Sequence, residues 1–143
     1  MRIPKELAEK VLAHALGGYP YEACGVFVGR PAGADPAVVE DVAPVENRET
    51  EKPRVRYAIA PEDLIRIDRE ARQRGLAILG YFHSHPDHPA RPSETDRQRA
   101  AETLSDGVIH VVVGVEKGER ATPTAWVFRD ATKTFEDEAF ETI

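Results

Sequence analysis

The sequence predicts an α/β fold in which helices flank a mixed, largely central β-sheet. Segments with a helical spacing of apolar residues alternate with short β-prone runs, which is typical of this class. The run from Leu76 to His85 is almost continuously apolar before its polar end, as expected for a strand covered on both faces. Short, hairpin-like connections near both ends indicate antiparallel neighbours in the same sheet. With 143 residues, the chain is expected to form a single domain over residues 1–143.

Three segments are predicted to be helices, and the first two carry the apolar spacing of amphipathic helices. In the first, apolar residues from Ile3 onward form one stripe, Pro4 stands near the start, and Gly17 and Gly18 mark the stop. In the second, proline occupies a plausible first helical position and Gly75 lies just past the last turn. The predicted helices are Ile3 to Leu16, Pro61 to Arg74 and Ser93 to Leu104.

Six runs rich in β-branched and apolar residues are predicted to be strands. A turn is expected at Pro31 to Pro36 and a surface loop at Glu46 to Pro53, whereas Phe135 to Ile143 receives no assignment. The predicted strands are Cys24 to Gly29, Val38 to Val45, Arg54 to Ala60, Leu76 to His85, Val108 to Val115 and Thr124 to Phe128.

Charge and composition restrict the class of protein. The chain has 19 Lys and Arg against 25 Asp and Glu, for a net charge of −6, and no basic run, so we expect no nucleic-acid partner. The longest purely apolar runs, such as Val111 to Val113, are far shorter than the ~20 residues that cross a bilayer, so we expect no membrane partner. The single Cys24 cannot form an internal disulfide and the N-terminal segment lacks signal-peptide order, which indicates a cytoplasmic setting.

Two histidines at the end of the central strand are the strongest sign of chemistry. His83 and His85 are separated by one residue, and strand side chains repeat every two positions, so both imidazoles point to the same side. Pro86 ends the strand because it has no backbone N–H to donate. Open α/β sheets place their ligands at this end of their strands.

Asp96 follows at the mouth of the next predicted helix and completes the donor set of a catalytic zinc site. Such a site uses three protein ligands and keeps its fourth position open for water, whose pKa the metal lowers to about 7, so the chemistry indicated is hydrolysis. Two structural interpretations compete with it. Ser93 and Asp96 also match a helix capping box, and a histidine pair on a strand can be a hydrogen-bonded packing feature.

The motifs together resemble those of the JAMM (MPN-plus) metalloproteases. They are Glu22 within Tyr-Glu-Ala-Cys-Gly, then His83-Ser84-His85-Pro86, then Pro92-Ser93 and Asp96, and the likeness extends from the helix before Glu22 to Val115. The resemblance implies that His83, His85 and Asp96 bind one Zn²⁺ per chain, that Glu22 is the general acid/base, and that Ser93 steadies the oxyanion. It also implies a mixed sheet between helices, similar to the cytidine deaminase core.

The resemblance further implies a zinc-dependent peptidase or isopeptidase like the stand-alone prokaryotic members of the family. The implied partner is a ubiquitin-like or sulfur-carrier protein, cut after its C-terminal Gly-Gly tail, with the enzyme a monomer or homodimer. A narrow groove beside the zinc, next to an exposed strand edge, is expected to admit the extended tail. The alternative is a non-catalytic MPN-type module that binds a partner. A zinc nucleoside deaminase is excluded because the P-C-x-x-C ligand pair is absent.

Four further residues that could carry chemistry are given structural roles. We expect His88 to be a solvated loop residue and Cys24 to be a small buried side chain inside an apolar strand. His110 is expected to pack in the sheet, and His14 to lie at the polar margin of the first helix.

Overall fold

The computed structural model describes residues 1–30, 36–103 and 105–143, which form three helices and eight strands. In chain order these are β1 (Arg2–Ile3), α1 (Lys5–Gly18), β2 (Cys24–Gly29), β3 (Val39–Val45), α2 (Pro61–Gln73), β4 (Ala77–Pro86), α3 (Glu94–Glu102), β5 (Ile109–Glu116), β6 (Arg120–Arg129), β7 (Thr134–Glu138) and β8 (Glu141–Thr142). The turn predicted at Pro31 to Pro36 falls mostly outside the described residues, as does the predicted helix end at Leu104.

The main sheet is mixed, as predicted. Its strand order is β3-β2-β4-β5-β6-β7, and β4 pairs with β5 in parallel while the other neighbouring strands are antiparallel. The connection between β4 and β5 contains α3, as a crossover between parallel strands requires. The predicted central strand is therefore an interior strand of the sheet, with its C-terminal end leading toward α3.

The two longer helices cover opposite faces of the sheet, which confirms the α/β prediction. On one face, residues of α1 pack with Phe27 of β2 and Phe82 of β4. On the other face, Ile67 of α2 packs with Val26 and neighbouring strand residues. Successive strand side chains alternate between these two cores. Odd-numbered β4 positions around Phe82 therefore lie on the α2 face.

The start of the chain differs from the prediction. Ile3 is fully buried but belongs to β1, which pairs in parallel with β8, so the α-helix begins only at Lys5. The helix also continues through Gly17 and Gly18, and Tyr19 is its C-cap. Helical spacing from Ile3 was misleading because Ile3 is buried by strand pairing, and glycine is tolerated within the last turn of a helix.

The strand predicted at Arg54 to Ala60 is wrong. This segment is irregular, because its backbone bonds to the preceding loop rather than to a strand: Ala58 N–H donates to the Asn47 side chain, and its carbonyl accepts from Arg48 N–H. At the other end of the chain, the hairpin with β5 extends β6 beyond its predicted bounds, and the unassigned C-terminal segment forms β7 and β8.

Across the described ranges, none of the helices combines the length and the apolarity that crossing a membrane requires.

Candidate metal centre

The two histidines of β4 occupy the positions that their spacing predicted. Both side chains lie on the α2 face at the C-terminal end of the strand, and both are buried. The Nε2 atom of His83 is 3.0 Å from the Nε2 atom of His85. Because the two side chains are two residues apart on one strand, they share a face of the sheet, and their Nε2 atoms lie within 3.0 Å of each other.

Asp96 completes a compact set of three donor atoms. Its Oδ2 atom lies 3.1 Å from His83 Nε2 and 3.4 Å from His85 Nε2. Tetrahedral zinc with ligands at about 2.0–2.1 Å requires donors about 3.3–3.4 Å apart. The separations of 3.0 to 3.4 Å, together with two nitrogens and one carboxylate oxygen, fit that ion. Of the residues that the structure describes, these three form the group of His, Cys, Asp and Glu side chains able to hold a metal.

The capping box that competed with the metal interpretation is also present. Ser93 Oγ accepts from Asp96 N–H at 3.1 Å, and Asp96 Oδ2 accepts from Ser93 N–H at 2.8 Å. The same carboxylate oxygen therefore caps α3 and faces the histidines. The two interpretations are compatible, since the cap fixes the orientation of the Asp96 carboxylate.

Neighbouring groups orient both imidazoles. His85 Nδ1 is 2.9 Å from the Pro89 carbonyl oxygen, and because a carbonyl only accepts, Nδ1 carries a proton and Nε2 is the nitrogen that faces Asp96. The Tyr57 ring stacks on His83 with centroids 4.5 Å apart and planes 21° from parallel. Arg99 in turn donates to the Tyr57 carbonyl at 2.5 Å. These contacts hold the rings with their Nε2 atoms directed at Asp96.

Glu22 reaches the site through strand pairing. Cys24 of β2 lies opposite His83, and Ala23 and Ser84 exchange hydrogen bonds of 2.8 and 2.9 Å, so the antiparallel register places Glu22 opposite His85. The Glu22 side chain is buried, with 5% of the residue surface exposed. Glu22 therefore lies next to the strand that carries the two histidines.

A cavity of about 350 Å³ is lined by three of the five predicted site residues. Glu22, His85 and Ser93 line it together, and the loops around Val55 and Arg91 form its walls. The cavity lies beside His85, where a groove was expected. The strands that flank β4 are β2 and β5, whereas the edge strands of the main sheet in the described part of the chain are β3 and β7, so the expected exposed edge does not adjoin β4.

The pKa values of the two carboxyl groups of the site, Glu22 and Asp96, are shifted in opposite directions. Burial raises the pKa of Glu22 to about 8; the charge of Asp96 adds to this rise, while His85 and Arg99 oppose it. Burial would raise the pKa of Asp96 as well, but hydrogen bonds with His83 and His85 outweigh it and hold this pKa far below its usual range. Burial also lowers the pKa of His83. At neutral pH Asp96 is therefore ionised, His83 is neutral, and Glu22 can hold a proton.

One residue of the site was missed by the sequence interpretation. The Asn47 carboxamide donates to the backbone carbonyls of Glu22 and Arg56 at 3.0 and 3.1 Å, and accepts from the N–H groups of Glu49 and Ala58 at 3.0 Å each. The N–H of Glu22 donates to a carbonyl of the same loop at 2.8 Å. Asparagine in a polar loop is typical of such side-chain-to-backbone bonds, but a partner as distant in sequence as Glu22 leaves no local signal.

The remaining candidates lie outside the donor set. His88 is exposed, as expected, although it borders the cavity. Cys24 is fully buried, and burial raises its pKa to about 12, so it is no nucleophile at neutral pH. His110 packs edge-on against Phe135 with centroids 5.0 Å apart, as predicted. His14 contacts more than the polar margin: its Nε2 is 3.1 Å from the Cys24 carbonyl oxygen.

Sequence comparison finds relatives over most of the chain. The sequence model of the family described as prokaryotic homologues of the JAB domain matches residues 4–129 of this chain. The desampylase of Haloferax volcanii is 34% identical over 105 residues, which cover 71% of this chain and 73% of that protein. A probable TtuB-protein conjugate cleaving protease from Thermus thermophilus is 34% identical over 98 residues, which cover 68% of this chain and 62% of that protein.

Structure comparison gives the same answer for the fold. A solution structure of a protein from Desulfitobacterium hafniense has a TM-score of 0.84 at 27% identity, and covers 99% of this chain and 92% of that one. The crystal structure of a JAB1/MPN domain protein from Archaeoglobus fulgidus has a TM-score of 0.63 at 18% identity, and covers 100% of this chain and 99% of that one. The JAB/MPN core that the sequence resemblance implied is confirmed.

Proposed function

The chain belongs to the family of prokaryotic homologues of the JAB domain and is a hydrolase, and on that premise we propose that it is a zinc metallopeptidase. Its substrate is a ubiquitin-like or sulfur-carrier protein, and the bond cleaved is the peptide or isopeptide bond that follows the C-terminal Gly-Gly tail. The names of the two relatives support the substrate class, since one is a desampylase and the other a protease of TtuB-protein conjugates. The observation that carries the proposal is the convergence of three metal donors, one of which, His85, lines an open cavity together with the buried Glu22.

His83, His85 and Asp96 would hold the zinc ion, and their donor types and separations suit it. When bound, zinc supplies Lewis acidity toward a carbonyl oxygen and lowers the pKa of water. The His85 proton on Nδ1 and the capped Asp96 carboxylate keep the three donors oriented. The protein residues thus provide a preformed donor set.

Glu22 acts as the general acid/base. Burial raises the pKa of its carboxyl group, which makes the carboxylate a stronger base toward the attacking water, and the protonated group can then deliver the proton to the departing amine. The carboxylate opens on the same cavity as His85, where the scissile bond would lie. One buried side chain then serves both proton transfers.

Ser93 steadies the oxyanion. Its Oγ accepts from Asp96 N–H, so its own O–H remains as a donor, and the residue is exposed on the cavity wall. An oxyanion that forms on the substrate carbonyl would accept from this hydroxyl. A single donor of this kind contributes about 10²-fold to 10³-fold in rate.

The open cavity favours an extended, glycine-rich segment as substrate. Pro89, Arg91 and Pro92 line the cavity with Ser93, and glycine residues present no side chains to these walls. Because β4 lies between β2 and β5, the tail would contact loop backbone rather than extend the sheet. A tail without side chains next to the cleaved bond is therefore the segment that we propose for this cavity.

The test is incubation of the zinc-loaded protein with Gly-Gly-ended sulfur carriers that bear C-terminal extensions, read by intact mass. We expect cleavage directly after Gly-Gly, loss of cleavage with a chelator, and recovery on addition of zinc. Glu22→Gln is the matched control, because it keeps the side-chain shape without a titratable carboxyl. Intact carriers after incubation with zinc-loaded protein, or equal cleavage by the Glu22→Gln variant, would contradict the proposal.

Metal analysis separates this function from the non-catalytic alternative. A partner-binding module needs Ser93 and Asp96 to cap α3, but a helix cap gives no reason for two buried imidazoles at 3.0 Å. We therefore expect the purified protein to bind one zinc ion per chain. A protein that binds no zinc after reconstitution would favour the module.

A further inference from the structure

The arginines of this chain divide into two groups. Eight of the 14 form ion pairs with Asp or Glu side chains. Within residues 1–30, 36–103 and 105–143, no ion pair involves the other six. Those six are Arg54, Arg56, Arg69, Arg91, Arg99 and Arg120.

Four of the six surround the candidate metal centre. Arg54 and Arg56 flank Val55 on one wall of the cavity, and Arg91 lines it directly. Arg99 lines a second cavity, of about 400 Å³, to which the candidate metal ligand Asp96 also contributes. All four side chains are exposed. We call these four residues the arginine rim.

The arginine rim is held in place by the backbone of the site. Arg54 follows the proline whose carbonyl accepts from Glu22 N–H, and its guanidinium lies 5.9 Å from the centre of the Tyr21 ring. The carbonyl of Arg56 accepts from the Asn47 side chain. Arg99 donates to the carbonyl of Tyr57. The loops that shape the catalytic cavity therefore also fix the positions of these charges.

The acidic side chains in the same segments are largely occupied. Glu46 pairs with Arg48, and Glu49 accepts from backbone N–H groups of its own turn. Glu94 pairs with Arg97 at 2.6 Å. Glu51 is exposed in the same segment. In a chain with a net charge of −6, the mouth of the site is thus a local concentration of arginines that form no ion pair with carboxylates of the described residues.

Two exposed apolar side chains lie within this rim. Tyr21 is 48% exposed and Val55 is 51% exposed, and they are two of the four large hydrophobic residues exposed among the described residues. Protein interfaces are enriched in tyrosine and arginine, and arginine forms bidentate hydrogen bonds with carboxylates. This combination suits a protein surface with carboxylates around an apolar centre better than it suits a nucleic acid.

We propose that the arginine rim, with Tyr21 and Val55, docks a protein substrate whose surface beside its C-terminal tail is acidic. The proposal rests on the proposed function, since the catalytic cavity receives the tail while the rim receives the residues before it. Complementary charge of this kind accelerates encounter and selects the partner. The rim therefore determines which tails reach the metal centre.

The test measures binding of two fluorescein-labelled peptides that end in Gly-Gly with no bond beyond it to cleave. One peptide carries aspartates and glutamates before the glycines, and the other carries lysines at the same positions. The protein is the zinc-loaded full chain, and the readout is fluorescence anisotropy. We expect the acidic peptide to bind about tenfold tighter or more at about 50 mM salt, with the difference shrinking as salt is raised.

The matched variants reverse the same number of charges at different places. Arg54→Glu with Arg56→Glu alters the rim, whereas Arg69→Glu with Arg120→Glu alters the two unpaired arginines away from it. We expect the rim variant to lose about tenfold or more in affinity for the acidic peptide and to gain affinity for the lysine peptide. The control variant should change either affinity less than about twofold. A gain for the lysine peptide cannot result from misfolding.

Three outcomes would overturn the proposal. These are equal binding of the two peptides, equal effects of the two double variants, and a single-stranded RNA that displaces the acidic peptide through the same arginines. Cleavage of Gly-Gly-ended carriers is measured separately. If carriers are cleaved but binding shows no charge preference, the docking role of the arginine rim is contradicted and the proposed function stands. If binding is charge-selective but no carrier is cleaved, the proposed function is contradicted and the docking role stands.

Discussion

The carboxamide of Asn47 donates a hydrogen bond to the backbone carbonyl oxygen of Glu22 across 3.0 Å, although 25 residues separate the two. The same side chain closes its own loop by accepting from two backbone N–H groups and donating to a third residue's carbonyl. All four hydrogen-bonding positions of the amide are thus used. Asn47 is a positioning residue: it ties the strand that presents Glu22 to the loop that presents Tyr57.

Substitution of Asn47 should affect both stability and rate. Asn47→Ala removes four hydrogen bonds and leaves backbone groups unpaired, so we expect a loss of about 2–4 kcal/mol in the free energy of unfolding. Because Glu22 then loses its alignment, kcat should fall more than KM rises. Urea denaturation and steady-state kinetics measure the two effects, with zinc content as a control.

The Asn47→Asp variant tests the assignment of the donors. Aspartate keeps both acceptor contacts but replaces the donors to Glu22 and Arg56 with an anionic oxygen. We expect it to retain zinc and still lose kcat. A variant with wild-type kcat would show that the contact with Glu22 has no effect on the reaction.

The register that places Glu22 opposite His85 shows which part of the candidate site could be predicted from the sequence and which part could not. The shared face of His83 and His85 follows from the two-residue period of a strand, so local spacing was enough. The position of Glu22 depends on the register between β2 and β4, a long-range property that was supplied by family resemblance alone. The Asn47 loop lies within the family resemblance, but Asn47 received no role, because its partners are backbone groups whose locations depend on the whole fold.

The wrong strand at residues 54–60 has a related cause. Val55, Tyr57 and Ile59 alternate with polar or small residues, a pattern that normally predicts a strand. Here the alternation serves another purpose, since Tyr57 stacks on His83 while Val55 faces the cavity. The alternation predicted a strand wrongly here because these side chains are arranged around the candidate site and not across a sheet.

Glu22→Gln should separate metal binding from catalysis. Glutamine matches the shape of glutamate but transfers no proton, so we expect turnover to fall by about 10²-fold to 10⁴-fold. Zinc content should be unchanged, because Glu22 is not among the three donors. Metal analysis by mass spectrometry and cleavage of a Gly-Gly-ended carrier check the two expectations. Undiminished hydrolysis would remove Glu22 from its role.

The stability of the zinc-free protein should depend on pH through Glu22. Its pKa is about 8 in the folded state against an ordinary value of 4.5, so the folded state favours the protonated form. As pH rises from about 4.5 to about 8, the unfolded chain ionises first, and the free energy of unfolding falls by an amount on the order of a few kcal/mol. Above about 8 this contribution is lost and the dependence levels off.

The same Glu22→Gln variant isolates this effect. Glutamine does not titrate, so the variant should gain stability relative to the wild type across that pH window and keep the gain above it. Urea denaturation of both chelated proteins at about pH 5 and pH 8 measures the difference. A difference that is constant with pH would mean that Glu22 is ionised at an ordinary pKa in the folded protein.

Ser93 and Asp96 share a helix cap but should differ in their effect on metal. Asp96→Ala removes a donor atom together with half of the capping box, so we expect loss of zinc and of activity. Ser93→Ala removes the other half of the capping box, which costs about 1 kcal/mol of stability, but it removes none of the three metal ligands. It should therefore keep its zinc and lose about 10²-fold to 10³-fold in kcat through the missing hydroxyl donor. Zinc titration and thermal unfolding of the two variants check these expectations. If both residues served only to cap α3, both variants would show the same decrease in unfolding temperature and both would keep their zinc affinity.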